Sequence, residues 1–503
     1  MTDGRTKNSI RNVIGAALNK TAGIIFPFLI RTVILYKLGI EYLGLSSLFT
    51  SILQILSLSE LGVGSAIVYS MYKPVAEGNI GEVNALLNLY RKIYHRIGIF
   101  MLLVGIILLP FVPCLISGSY PADINLYALY LIYLSNTVAS YFLYAYKSSV
   151  LNVYQRKDIE SNIGTAVNVS MYCIQIIVLI FFKSYYIYII FLPIATVLMN
   201  LLYSVAVDKY YPMIHCEGQV SKDAQKGILM RVGALVGHKL SGVVNCSLDN
   251  IVVSAYLGLT VVAQYGNYYY IVSALSGVMS VVFSAMTASI GDSIIKENVE
   301  KNKKDFYDLQ YINCWVVGWI STCMFCLYQD FITLWVGESL LFSLDIVALF
   351  VVYFYAWQIR RTVIIYKDAT GLWWADKFKP YVSVSVNLLL NFSTVRIWGV
   401  YGILISTIIA YLLIEGPWET IVFFREVFKC SSKKYWVNLV GYTGIMLICL
   451  AVTYWAGRLV TCGGIKGFVI KATFCCIIPN VMWCLLTFRT SGWKRIIYIL
   501  RNR

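Results

Sequence analysis

The stretch Asn12–Tyr36, NVIGAALNKTAGIIFPFLIRTVILY, is an apolar run interrupted by Lys20, Pro27 and Arg31. At about 1.5 Å per residue, a helix of this length crosses the roughly 30 Å hydrocarbon core of a bilayer. Lys20 and Arg31 stand eleven residues apart. Eleven steps of about 100° bring both to one face, within roughly 20°. A cation facing lipid at the helix centre costs a few kcal/mol. The helix therefore reads as one that faces water, a partner or an anionic ligand. Pro27 is expected to bend it.

The rest of the 503-residue chain has the same character, with 59% hydrophobic and 13% charged residues and a mean hydropathy of +0.71. Soluble domains carry about twice that share of charge. Apolar runs of about 18 residues or more recur from end to end, and none of the intervening segments is long enough for a large soluble domain. The basic start, Arg5, Lys7 and Arg11, precedes an apolar run too long for a cleavable leader, so the first helix is expected to be retained.

About fourteen spans are expected, at roughly 12–36, 43–70, 93–117, 124–147, 162–182, 185–207, 230–257, 264–290, 310–334, 340–366, 379–395, 398–424, 437–457 and 467–488. Tyr and Trp gather near many ends, as in an aromatic belt. Loop charge orients them. The odd gaps hold Lys37, Lys183, Arg396, Arg458 and Lys466 and little else, whereas the even gaps and termini carry about 34 of the 41 Lys and Arg residues. The positive-inside rule puts that side, and both termini, in the cytoplasm. The net charge of +16 is thus a topology signal, and nucleic acid is not an expected partner.

Sliding the chain by about 219–220 residues aligns Tyr36-Lys37-Leu38-Gly39 with Ala255-Tyr256-Leu257-Gly258 and Tyr146-Lys147 with Tyr366-Lys367. Asn168 meets Asn387 with one residue of slippage. Span 1 then matches span 7, and six spans match six in the same orientation, a parallel repeat about an axis near the membrane normal. The expected fold is an all-α polytopic membrane protein. An N-lobe (1–208, spans 1–6), a cytoplasmic linker (209–229) and a C-lobe (230–426, spans 7–12) are followed by spans 13 and 14 with a cytoplasmic tail (427–503). A cleft between two such lobes is where transporters place substrate.

At an offset of 219, Asn19-Lys20 falls on His238-Lys239 and Ile30-Arg31 on Asp249-Asn250. If spans 1 and 7 line the cleft, Lys20, Arg31, His238 and Lys239 point into it. Lys20, Lys239 and Arg31 are also near enough to headgroups to snorkel, and His238 also fits a satisfied interior histidine. A short carboxylate such as Asp249 needs a partner or water. Arg360 and Arg361, near the inner end of span 10, suit either interface anchoring or ligand contact. Glu60 in span 2 and Glu415 in span 12 are candidates for pairing with a cation or binding a coupling ion. Pro417 should kink span 12.

The remaining motifs carry no chemistry. The three histidines, His95, His215 and His238, lack metal-ligand spacing, and no P-loop, nucleophile elbow or Rossmann glycine pattern occurs. Most of the thirteen cysteines sit inside spans, as small apolar filler. Cys323-Met-Phe-Cys326 has CxxC spacing but no second pair nearby in sequence. The sequons at Asn168, Asn245 and Asn391 fall inside spans. No cofactor, metal or enzyme activity is expected.

Pro27-Phe28-Leu29-Ile30-Arg31 followed by Leu38-Gly39, Leu43-Gly44-Leu45, Glu60-Leu61-Gly62 with Ala66 and Tyr69, and Leu248-Asp249-Asn250 with Leu257-Gly258 together have a familiar look. The chain resembles bacterial O-antigen and capsule repeat-unit flippases, polysaccharide-biosynthesis proteins of the multidrug/oligosaccharidyl-lipid/polysaccharide exporter superfamily. The resemblance implies a two-lobed protein that moves undecaprenyl-diphosphate-linked oligosaccharides to the outer leaflet of the inner membrane by alternating access through a cationic cavity. It implies membrane lipids, and a polysaccharide polymerase with its assembly proteins, as partners. Lys20, Arg31, His238, Lys239, Arg360 and Arg361 would form the substrate site, and Asp249, Glu60 and Glu415 would serve coupling or charge pairing. A diphosphate needs such cations to cross a membrane. The rival readings are a cation-coupled multidrug exporter, which favours an acidic cavity, a lipid II flippase, and a membrane polymerase or acyltransferase, which calls for a large outer loop.

Overall fold

The fold was analysed in a computed structural model. It describes residues 2–57, 62–372, 374–490 and 492–494; for 2–14, 16, 17, 231, 234–246 and 288 it gives the backbone. Among the described residues every regular element is helical. Eighteen α-helices follow in order: α1 (Thr2–Lys37), α2 (Ile40–Leu56), α3 (Val63–Glu77), α4 (Ile80–Leu108), α5 (Leu126–Phe142), α6 (Ser148–Val153), α7 (Lys157–Phe181), α8 (Tyr185–Tyr210), α9 (Lys222–Leu257), α10 (Leu259–Lys296), α11 (Val299–Val336), α12 (Leu344–Gln358), α13 (Arg361–Thr370), α14 (Lys379–Trp398), α15 (Val400–Ile409), α16 (Gly416–Phe423), α17 (Lys433–Arg458) and α18 (Gly464–Thr487).

Ten helical runs are long and apolar enough to cross a membrane, and the pair α5 with Ala145–Val153, bent by 49°, makes eleven. The other expected spans are helical where described, with 43–70 divided between α2 and α3. Helix α2 has 17 residues, while α9 and α14 are long but carry polar residues along their length. Large apolar side chains face outward, among them Phe181, Leu389 and Val440, each about 70% exposed or more. Many amides and hydroxyls are buried instead, as a hydrocarbon surround demands.

The chain divides into two compact units, Met1–Ala263 and Gln264–Arg503. In the first, α1 lies along α7, α5 along α8, and α2 along α9. The α1–α7 seam is tied by Asn19 Nδ2, which donates to Ser161 O at 3.3 Å and Thr165 Oγ1 at 3.1 Å. Phe26 stacks on Tyr172 at 5.7 Å. α1 runs unbroken through Pro27. On the α2–α9 seam Ser247 Oγ donates to Gln54 Oε1 and Asn250 Nδ2 to Ser51 Oγ, both at 2.9 Å. Gly44 of α2 lets the start of α10 come close, because a Cβ there would lie 2.3 Å from Leu259 O. Gly258 makes the α9–α10 elbow at φ +87°, the left-handed region that glycine enters without strain.

The α8–α9 connection is shorter than the expected 209–229. α9 starts at Lys222, capped by Ser221 Oγ accepting from Ala224 N, with Asp223 in the first turn. It packs on α2 and α3 in the first unit.

In the second unit α11 is the central post. It packs on α12, α17 and α18, while α14 packs on α15. Trp315 Nε1 reaches Asn480 Oδ1 and Trp319 Nε1 reaches Cys475 O, both at 2.9 Å, which fixes α18 to α11. Phe306 sits among Tyr366, Phe423, Phe424, Phe428 and Tyr435, with ring centroids 5.1–6.1 Å away. The expected disturbance at Pro417 takes the form of a π-helical turn, Ala410–Glu415, immediately before Gly416-Pro417.

Candidate functional site

The second unit contains a buried group of charges. α12 ends at Gln358, the chain turns at Ile359–Arg360, and α13 begins at Arg361. Such a break frees backbone carbonyls. Asn313 Nδ2 from α11 meets two of them, Gln358 O at 3.1 Å and Ile359 O at 3.3 Å. The turn carries Arg360 into the bundle. Its Nη2 donates to Glu415 Oε2 at 2.5 Å and Glu419 Oε1 at 3.1 Å, and its Nε to Glu419 Oε2 at 3.2 Å. The guanidinium lies 4.9 Å from the centre of the Tyr411 ring.

Glu415 and Glu419 are one turn apart on the span that carries the π-turn. Lys379 at the start of α14 donates to Glu419 and lies 3.7 Å from Asp376 Oδ2. Lys367 at the end of α13 donates to the same Asp376, which closes the α13–α14 connection. Ser383 Oγ donates to Glu415 Oε1 at 2.6 Å. All six charged side chains are at most 8% exposed. Three cations thus face three carboxylates. Burying the six would be prohibitive without this mutual compensation.

A polar track leaves this cluster along α14. Lys379, Ser383, Asn387 and Asn391 recur every four residues, so they share one helix face, and all are buried. Asn387 Nδ2 donates to Thr407 Oγ1 at 2.9 Å and Asn391 Nδ2 to Asn387 Oδ1 at 3.2 Å. Tyr381, Leu389 and Phe392 are exposed instead. α14 therefore turns its polar face inward and its apolar side chains outward, which suits lipid on one side and a hydrated or ligand-bearing interior on the other.

The first unit holds a cation of another kind. Arg31 is half-buried on α1, close enough to Tyr188 of α8 to act on its phenol electrostatically. Tyr188 belongs to a tyrosine group in which Tyr133 and Tyr185 share a 3.1 Å hydrogen bond, and Tyr133 donates to Ser46 Oγ at 3.2 Å.

The sequence candidates therefore separate. Arg360 and Glu415 come together. Arg361 turns away, its Nε donating to Gln358 Oε1 at 3.3 Å. Lys20 is exposed on α1, and Asp249 is buried on α9. Glu60 lies outside the described residues, as do the side chains of His238 and Lys239. Lys367, Asp376, Lys379 and Glu419 were not among the candidates. The usable signals were the four-residue spacing of Glu415 with Glu419 and the four-residue polar series on α14.

The structure resembles solved membrane transporters. It matches the lipid II flippase MurJ, in an inward closed conformation, with a TM-score of 0.67 and 16% identity over 95% of this chain and 99% of that one. An inward-facing multidrug resistance MATE transporter of the MOP superfamily gives 0.56 and 13% over 86% and 99%. A substituted form of the Vibrio cholerae MATE transporter VcmN gives 0.57 and 14% over 86% and 98%. No family model matches the sequence, and no curated protein matches it. At these identities the likeness concerns the fold, which the chain shares with these polytopic transporters over most of its length.

Proposed function

We propose that this protein is a flippase that moves undecaprenyl-diphosphate-linked oligosaccharide repeat units from the cytoplasmic to the outer leaflet of a bacterial inner membrane. It would work by alternating access, with both termini cytoplasmic. The product would pass to a polysaccharide polymerase and its assembly proteins. The observation that carries the reading is the breadth of the likeness, 95% of the chain with the lipid II flippase against 86% with the MATE transporters. The shared cargo chemistry would be a sugar on a polyprenyl diphosphate.

The intramembrane cations suit that cargo. Arg31 is a guanidinium in a largely apolar helix, and guanidinium groups bind phosphate oxygens in pairs. Arg360 has its charge matched by Glu415 and Glu419. The substrate contacts are therefore assigned to Arg31, Lys20, His238, Lys239 and Arg361, and Arg360 to holding the bundle. The likeness to MurJ equally favours lipid II as the cargo.

The test is reconstitution in vesicles with fluorescent polyprenyl-diphosphate oligosaccharide in one arm, lipid II in the second and a cationic dye in the third. Flipping of the oligosaccharide above protein-free vesicles, lost in Arg31→Ala, is expected. Flipping of lipid II alone would reassign the cargo. Ion-driven dye export without lipid movement would overturn the reading in favour of a multidrug exporter.

A further inference from the structure

α11 and α18 meet through a group of thiols that transport leaves unused. Cys323 and Cys326 are three residues apart on α11 and so share a face. Cys326 and Cys475 of α18 line the same cavity. Cys323 Sγ lies 3.6 Å from Cys475 O, the carbonyl that Trp319 Nε1 holds at 2.9 Å. All three cysteines are free thiols. A cavity of about 320 Å³ opens onto the group, lined by Cys326, Cys475, Asp330, Lys471, Tyr454 and Arg458 among others. Lys471 stands one turn before Cys475, paired with Asp330 at 2.7 Å, and its ammonium is close enough to act electrostatically on Cys475 and Cys326.

We propose that Cys475 and the Cys323/Cys326 pair form an oxidation site at which hydrogen peroxide, or another small hydroperoxide, converts two thiols into a disulfide joining α18 to α11. Three features support it. Cys323 Sγ reaches the backbone of Cys475 while Cys326 shares a cavity with it, the thiols come from two helices, and the cavity gives a small oxidant a path to Cys326 and Cys475.

The chemistry balances. The Cys475 sulfur attacks the peroxide, the O–O bond breaks, and a sulfenic acid forms as the thiol proton passes to the departing oxygen, which leaves as one water. The Cys326 sulfur then attacks the sulfenic sulfur. An S–S bond forms, the S–O bond breaks, and the hydroxyl leaves with the remaining thiol proton as a second water. Two thiols and one hydrogen peroxide give one disulfide and two waters. The cross-link ties α18 to α11, so the oxidised chain should resist unfolding more than the reduced one.

The experiment uses the purified full chain in detergent. It is exposed to hydrogen peroxide, its remaining thiols are alkylated, and cross-linked peptides are read by mass spectrometry. The expected result is a dominant link between the Cys475 peptide and the Cys323–Cys326 peptide, reversed by dithiothreitol and accompanied by a rise in the unfolding midpoint. Cys326→Ser should move the link to Cys323, Cys475→Ser should abolish it, and Cys449→Ser should leave it unchanged. Oxidation of other cysteines without this link would overturn the proposal, as would an equal yield in Cys475→Ser through Cys476. The wild-type result is decisive even if a variant folds poorly.

Discussion

Arg360 holds Glu419 by a two-pronged contact, Nε to Oε2 at 3.2 Å and Nη2 to Oε1 at 3.1 Å. The pair is nearly sealed from its surroundings, at 7% and 3% side-chain exposure. Removing one partner of a buried pair leaves the other charge uncompensated, a loss of about 3–5 kcal/mol. Arg360→Ala and Glu419→Gln should therefore both lower the thermal unfolding midpoint strongly and reduce membrane yield. Arg360→Lys should rescue only part of this, because an ammonium cannot reproduce the planar fork. Wild-type stability in Arg360→Ala, read by intrinsic fluorescence on heating, would contradict the compensation argument.

Lys147 and Lys367 align when the sequence is offset by 220 residues, and each follows a buried tyrosine, Tyr146 or Tyr366. Each is paired with an aspartate, Lys147 with Asp208 and Lys367 with Asp376. Their surroundings differ. Asp208 is 55% exposed, whereas Asp376 is fully buried. Lys147→Ala should then cost about 0.2–1 kcal/mol, as exposed pairs do, while Lys367→Ala should cost several times more. Unfolding midpoints of the two variants, measured side by side, check the ordering; equal losses would defeat it.

Arg31 lies on α1 beside Tyr188 of α8, in the first unit and away from the Arg360 cluster of the second. If it serves cargo rather than the bundle, Arg31→Ala should abolish surface polysaccharide at matched expression and leave the unfolding midpoint within a few degrees of wild type. Arg31→Lys should keep part of the export, since charge survives and the fork does not. Full export by Arg31→Ala would remove the residue from the site.

Helical passes were legible because lipid-facing helices announce themselves as apolar runs. Arg360 and Glu415 stood out as charges inside spans, but nothing in their spacing joined them. Their meeting depends on the turn at Ile359–Arg360 and on the π-turn that precedes Gly416, which are products of packing. Lys379 and Asp376 stand at the edge of the expected span 379–395, where charge is common and marks nothing by itself. The buried series Lys379, Ser383, Asn387 and Asn391 was present in the spacing. It is visible only when polar residues, not apolar ones, are followed at helical period.

The orientation of the chain rests on loop charge, and the short connection Glu338–Leu340 between α11 and α12 offers its sharpest test. If both termini are cytoplasmic, every second connection lies outside, and this one belongs to the sparsely basic set. Ser339→Cys, in a background whose exposed native cysteines are replaced, should react with a membrane-impermeant maleimide in intact cells. Lys301→Cys, in the first turn of α11 at its other end, should react only after permeabilisation, because that segment carries Lys296, Lys301, Lys303 and Lys304 and basic segments stay on the cytoplasmic side. The reverse pattern would invert the whole topology, since a chain of continuous helical passes cannot flip one connection alone. It would also move Arg31 from the outer to the inner half of α1 and reverse the direction in which the proposed cargo meets it.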